Sequence, residues 1–146
     1  MPDSLIAVRM AVPVQFNGRP DEEVWQNALR ISNFTQREQD FGQPATERTE
    51  VAILYDDHSI WIAVWCYQQD MAKIVAKSMQ RDFDYEAEDH FQILISPFND
   101  KRNGYLFVIN PLGARSDLLV AGNEDYNQDW NGIWDAKTSR DASGWY

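Results

Sequence analysis

Two consecutive runs, TEVAILY (49–55) and IWIAVWCY (60–67), constrain the fold more than any other part of the chain. Their β-branched and aromatic residues recur with the period of two that suits a strand, not the 3.6 of a helix. In the first run Thr49, Val51, Ile53 and Tyr55 share one face, and Glu50, Ala52 and Leu54 share the other. In the second, Ile60, Ile62, Val64 and Cys66 oppose Trp61, Ala63, Trp65 and Tyr67. The intervening DDHS consists of turn formers, so the pair reads as a β-hairpin. Trp61 reads as core. Trp65, nearer the strand end, is either core or part of an exposed aromatic strip.

The same signals recur downstream. HFQILIS, YLFVIN, RSDLLVA and GIWDAKTSRD read as strands, with PFNDKRNG and NPLG as turns among them. Short strands punctuated in this way mark an all-β sandwich or barrel. A length of 146 residues suits one domain. The expectation is therefore a single antiparallel, jelly-roll-like β-sandwich over 1–146, with one or two short helices. RPDEEVWQNA supplies the first helix: Pro20 and the acids at 21–23 suit its start, and Val24, Trp25 and Ala28 give it an apolar side. QQDMAKIVAK opens as a helical turn, with Ile74 and Val75 assignable to helix or strand. DASGWY places Gly144 at a turn and Trp145 and Tyr146 at the opening of a strand, as though the sheet continued past Tyr146. An open edge there invites strand exchange or homo-oligomerisation.

Thirteen basic residues against twenty-three acidic ones leave a net charge of −10, with no basic run to offset it. Such a surface repels phosphate backbones and anionic lipid, so nucleic acid is excluded as a partner and membrane surfaces are disfavoured. Cys66 is the only cysteine, which rules out an intrachain disulfide and any cysteine-based metal or redox motif. On its alternating apolar face it reads as buried and inert. MPDSLIAVRM has neither a basic start nor an apolar centre, so it is not a signal peptide, and an exported protein would have shed its leader before Met1. His58 and His90 have no partner at helical spacing, which argues against zinc. No nucleophile elbow or phosphate-binding glycine loop is present.

The segment RDFDYEAEDHFQILIS (81–96) carries five acids, Asp82, Asp84, Glu86, Glu88 and Asp89, interleaved with Phe83 and Tyr85. Calcium takes six to eight oxygen ligands; Asp82, Asp84 and Glu88 are candidates for it, although the glycine and spacing of an EF-hand loop are absent. Glycoside hydrolysis requires two carboxylates about 5–5.5 Å or 6.5–9.5 Å apart, and crowded exposed acids are seldom such a tuned pair. The other readings are an aromatic rim for a sugar and a plain solvated turn.

Several segments resemble the carbohydrate-binding modules of family nine. In VQFNGRPDEEVWQNA, Gly18, Asp21 and Trp25 match the family's opening pattern, with Asn17 where it usually has Asp. VAILYDDHSIWIAVWCYQQD matches its strand, acidic turn and strand. EAEDHFQILI places Asp89 directly before a strand, and GWY matches the start of the closing pattern. ATERTEV, LYDD, GYLFVINPLGARSD and WDAK are similar to one subgroup, found at the N-terminus of long bacterial proteins whose remainder resembles an outer-membrane β-barrel.

The resemblance implies a β-sandwich that recognises a glycan without catalysis, by stacking sugar C–H faces on aromatic rings. It also implies structural calcium, a C-terminal remainder of the parent protein as partner, and a periplasmic, outer-membrane-associated or secreted location. The family's stacking Trp falls at Glu86 here, which makes the adjacent Tyr85 the candidate platform and Phe83 the second. Asp89 is the polar residue beside them. The alternative is Tyr85 as a lid over the core. The family's second stacking residue aligns beyond Tyr146; Trp130 in NEDYNQDWNGIW is a substitute for it or, like Trp134, a loop anchor. The rival function is a structural or interaction domain without sugar binding, and a glycoside hydrolase-associated activity ranks third.

Overall fold

The computed structural model describes residues 4–146; residues 1–3 of the N-terminal segment lie outside them. In chain order the elements are β1 (Val8–Arg9), a single helical turn α1 (Glu23–Gln26), β2 (Thr49–Tyr55), β3 (Ile60–Tyr67), β4 (Phe91–Ile95), β5 (Gly104–Ile109), β6 (Arg115–Ala121), β7 (Asp125–Asn127) and β8 (Gly144–Trp145). Short 3-10 turns occupy Met71–Lys73 and Tyr85–Ala87. The strands form two sheets, ordered β1-β2-β3-β8 and β4-β5-β6-β7, in which every pairing except β1 with β2 is antiparallel. The all-β class expected from the sequence is the class observed. The chain divides into two compact units: residues 4–72 and 139–146 hold the first sheet, and Lys73–Thr138 hold the second.

The first unit is built on the β2–β3 hairpin. An Asp56 carboxylate oxygen closes its turn by accepting the His58 and Ser59 amides at 2.7 Å each. The register sets Ala52 opposite Ala63, and Leu54 opposite Trp61. Two small residues side by side leave a depression on that face. Trp25 of α1 joins Ala52, Leu54, Ala63 and Trp65 in one buried cluster there, its ring edge-to-face with Trp65 at 6.4 Å. Trp65, at 5% exposure, is the deeper of the two strand tryptophans. Trp61 is half-buried against the cluster, edge-to-face with Phe16, so the two tryptophans are ordered oppositely to expectation.

Glu50 lies on the same face, buried at 6% exposure. A buried carboxylate is costly unless it is paired and hydrogen-bonded. Arg30 donates to it at 2.8 Å, Arg48 donates to its other oxygen, and the Tyr67 hydroxyl lies 3.4 Å away. Arg30 is itself fixed, with its guanidinium 3.8 Å from the centre of the Trp65 ring and a hydrogen bond to the Trp25 carbonyl. Burial alone would raise the Glu50 pKa; the Arg30 hydrogen bond and the two arginine charges outweigh it and hold the carboxyl below its ordinary 4.5.

The second unit is a meander. Its fully buried apolar residues Val108 and Leu118 share one face with Leu106, Ser116 and Val120, and Phe83 and Ala114 pack with Val108. Three segments depart from expectation. GIWDAKTSRD forms no strand before Arg140, because side chains of β6 take up its polar groups. Ile74 and Val75 join neither helix nor sheet; the Val75 amide is held by Asp89. The edge of β8 is not left open, since the Tyr146 amide and carbonyl pair with Ser139 at 2.8 and 3.1 Å. Cys66 is half-buried, not fully buried.

Gly144 allows β8 to approach β3. A Cβ there would run into the Cys66 carbonyl and come within 2.9 Å of the Tyr67 Cα. Gly144→Ala is expected to cost about 1–3 kcal/mol by overpacking, read as a lower urea midpoint with unchanged slope. For Glu50, the depressed pKa means that its stabilising contribution is complete above pH 4.5 and is lost as pH falls through the lower folded-state value. Glu50→Gln should lose about 1.5–3 kcal/mol at pH 7 and flatten the acid limb of stability measured from pH 7 to 3.

Candidate functional site

The acidic segment of the second unit resolves largely into anchors. Glu88 accepts the amides of Lys77 at 2.7 Å and Ser78 at 2.9 Å, together with the Asn110 side chain at 3.0 Å. Desolvation opposes its ionisation, but these donors prevail and hold its pKa below the usual range. Asp89 accepts the Val75 amide at 2.7 Å and donates its own amide to the Val75 carbonyl. The fully buried Asn110 completes the tie, donating to the Ser78 carbonyl and accepting the Leu112 and Ala114 amides. Asp82 has a positive φ of 57° and a carboxylate 3.5 Å from Arg81; Asp84 and Glu86 are exposed. Among the described residues, no group of three or more His, Cys, Asp or Glu is placed to hold a metal ion.

Phe83 is buried at 6% exposure and offers no open platform. Tyr85 is half-buried, edge-to-face with Phe83 at 6.3 Å and His90 at 5.5 Å, and packs on the Val108 side of the sheet. Burial, then the charges of Glu86 and Asp84 with Tyr126, raise its pKa.

Trp130 belongs to a different group of rings. It lies on Tyr105 with centroids 4.7 Å apart and planes tilted by 32°, and meets Phe107 edge-on at 6.0 Å. Trp134 meets Phe107 at 5.1 Å. Tyr105 and Phe107 alternate with Leu106 and Val108 along β5, so they point to the opposite face. Tyr85 and Trp130 therefore lie on opposite faces of one sheet and cannot clamp a ligand between them.

One buried carboxylate holds this second group in place. Asp117 projects from β6 beside Phe107, its side chain fully buried. One oxygen accepts from Arg81 at 2.6 Å; the other accepts the Gly132 amide at 2.6 Å and the Trp134 indole N–H at 2.9 Å. Arg81 also donates to the Asn131 side chain. Arg115 donates to the Trp134 carbonyl, pairs with Asp135 at 3.2 Å and lies 5.6 Å from the Trp134 ring centre. Gly132 is required by space: a Cβ would come within 2.9 Å of the Trp130 ring and 3.2 Å of Phe107. Trp130 is thus half-buried on a seat of aromatic rings, with exposed Gln128, Asp129 and Asn131 beside it in the chain.

Asp117 was not among the residues singled out from sequence. Its signal is a lone acid directly before the apolar LLVA of one strand. Asp117→Ala should cost about 1–3 kcal/mol, because it leaves the Gly132 amide and the Trp134 indole N–H without their acceptor and frees the 131–135 segment; a red-shifted tryptophan emission ahead of global unfolding would report the release. Compared with protein-family models, with curated proteins and with solved structures, the chain matches none.

Proposed function

We propose that the chain is a non-catalytic carbohydrate-binding module, similar to those of family nine, that recognises a poly- or oligosaccharide by aromatic stacking. The observation that carries this reading is the seat of Trp130: a half-buried indole in a polar loop, backed by Tyr105 and Phe107 and next to the Gly132 amide that Asp117 holds. A flat ring suits the C–H face of a pyranose, and pre-ordering it lowers the entropy lost on binding. Exposed Gln128 and Asp129 precede Trp130 in the chain and supply amide and carboxylate groups of the kind that pair with sugar hydroxyls. In this reading Trp130 is the platform and Tyr85 a lid over Phe83. Calcium, a glycan-bearing periplasmic or extracellular setting, and attachment to a larger parent protein belong to the same proposal.

A second reading, an interaction domain without sugar binding, is favoured by one feature. Phe91, Ile93 and Ile95 of β4 share a face with Tyr105, Phe107 and Ile109 of β5, and all six are only half-buried.

Titration calorimetry with xylo- and cello-oligosaccharides, in calcium and in chelator, separates the readings. Saturable binding that Trp130→Ala weakens by about tenfold, the loss of one stacked ring, is the expected result. No heat at millimolar ligand with either series would leave the interaction domain standing instead. Release of reducing sugar would point to a hydrolase.

A further inference from the structure

The first unit holds a cavity of about 690 Å³ that the proposal above does not use. One wall is a self-closed loop: Thr35 bridges Pro44, the Gln36 amide donates to the Gln43 carbonyl at 2.8 Å, and the Ala45 amide donates to the Phe34 carbonyl at 3.0 Å. The other wall is the end of β3, where the Tyr67 amide is held by the Arg48 carbonyl and the Gln68 amide by the Ser143 carbonyl, both at 2.9 Å. Both walls are therefore fixed before any ligand arrives.

The chemistry of the lining is selective. Ser32, Asn33, Thr35, Thr46 and Ser143 border the cavity, and their side chains make no hydrogen bond to the protein among the described residues. Its two charged residues cancel and are already engaged: Arg48 pairs with Glu50, while Glu47 accepts from the Gln69 amide and the Gln68 side chain. On a chain of net charge −10, this is a neutral and mainly apolar site with hydroxyl and amide groups set around it. Phe34 and Tyr67 supply the apolar part of the wall. Tyr67 also lines a second cavity of about 280 Å³ with Arg30, Trp65, Asp141 and Tyr146.

We infer that this cavity is a second ligand site, taking a neutral polyhydroxylated chain, an oligosaccharide, with Tyr67 in its wall. The ligand class rests on the carbohydrate-binding reading above; the residues are separate from it. Volume and lining agree with small-molecule sites in general, in which an apolar surface carries a few placed polar groups.

Amide shift mapping by heteronuclear NMR on the whole chain, with xylohexaose and cellohexaose, tests the site. The amides of Asn33, Thr35, Thr46 and Gln68 should move saturably, and should still do so in Trp130→Ala. The double variant Asn33→Ala, Thr46→Ala, at two exposed positions, should weaken this response about fivefold or more, the equivalent of one to two lost hydrogen bonds, while residues 130–134 respond as before. Shifts confined to 130–134 would overturn the second site and leave the Trp130 proposal intact. Shifts at neither set would overturn both. An oligogalacturonate of equal length should bind at least tenfold more weakly; equal or tighter binding would overturn the neutral-ligand assignment.

Discussion

Each unit buries one carboxylate within a strand, and each answers it with arginine. Glu50 in β2 is met by Arg30 and Arg48, and Asp117 in β6 by Arg81. A charge removed from water has to be compensated at short range, so whatever supplies the partner is drawn into place with it. For Glu50 that brings Arg30 onto the Trp65 ring and, through the Trp25 carbonyl, onto the end of α1. For Asp117 it brings in the whole 131–135 segment, which has no ladder to hold it. Arg30 at the end of α1 and the 131–135 segment are thus each positioned by a buried anion.

The strands were legible because alternation is a local property. TEVAILY and IWIAVWCY became β2 and β3 with the predicted bounds, and RSDLLVA became β6. What failed was non-local. GIWDAKTSRD has strand-like composition, yet its hydrogen bonds go to side chains 15 to 19 positions upstream. The order of Trp61 and Trp65 depended on Trp25 and Arg30, which approach from another element. In the acidic segment the number of carboxylates suggested a ligand. Glu88 and Asp89 are instead consumed by amides at 75–78, partners that no spacing rule connects to them.

Of the candidate site, Trp130 could be found from the sequence as an aromatic in a polar loop. Its backing rings could not be told from the core, because Tyr105 and Phe107 alternate with Leu106 and Val108 in a strand that is apolar on both faces. A continuous apolar run conceals which side is open. The same ambiguity made Tyr85 and Trp130 look like two halves of one clamp, when the sheet runs between them.

The chain order has a consequence for biosynthesis. The second unit, Lys73–Thr138, is one uninterrupted stretch whose strands pair only with their sequence neighbours. The first unit is discontinuous: β8 has to return to β3, and the Ser139 hydroxyl donates to the Gly18 carbonyl across 121 positions at 2.6 Å. Local pairings close quickly and distant ones slowly. On a ribosome, the half that starts first therefore finishes last. Its hairpin must wait, with the Cys66–Tyr67 edge unpaired, until the whole of the other unit has emerged.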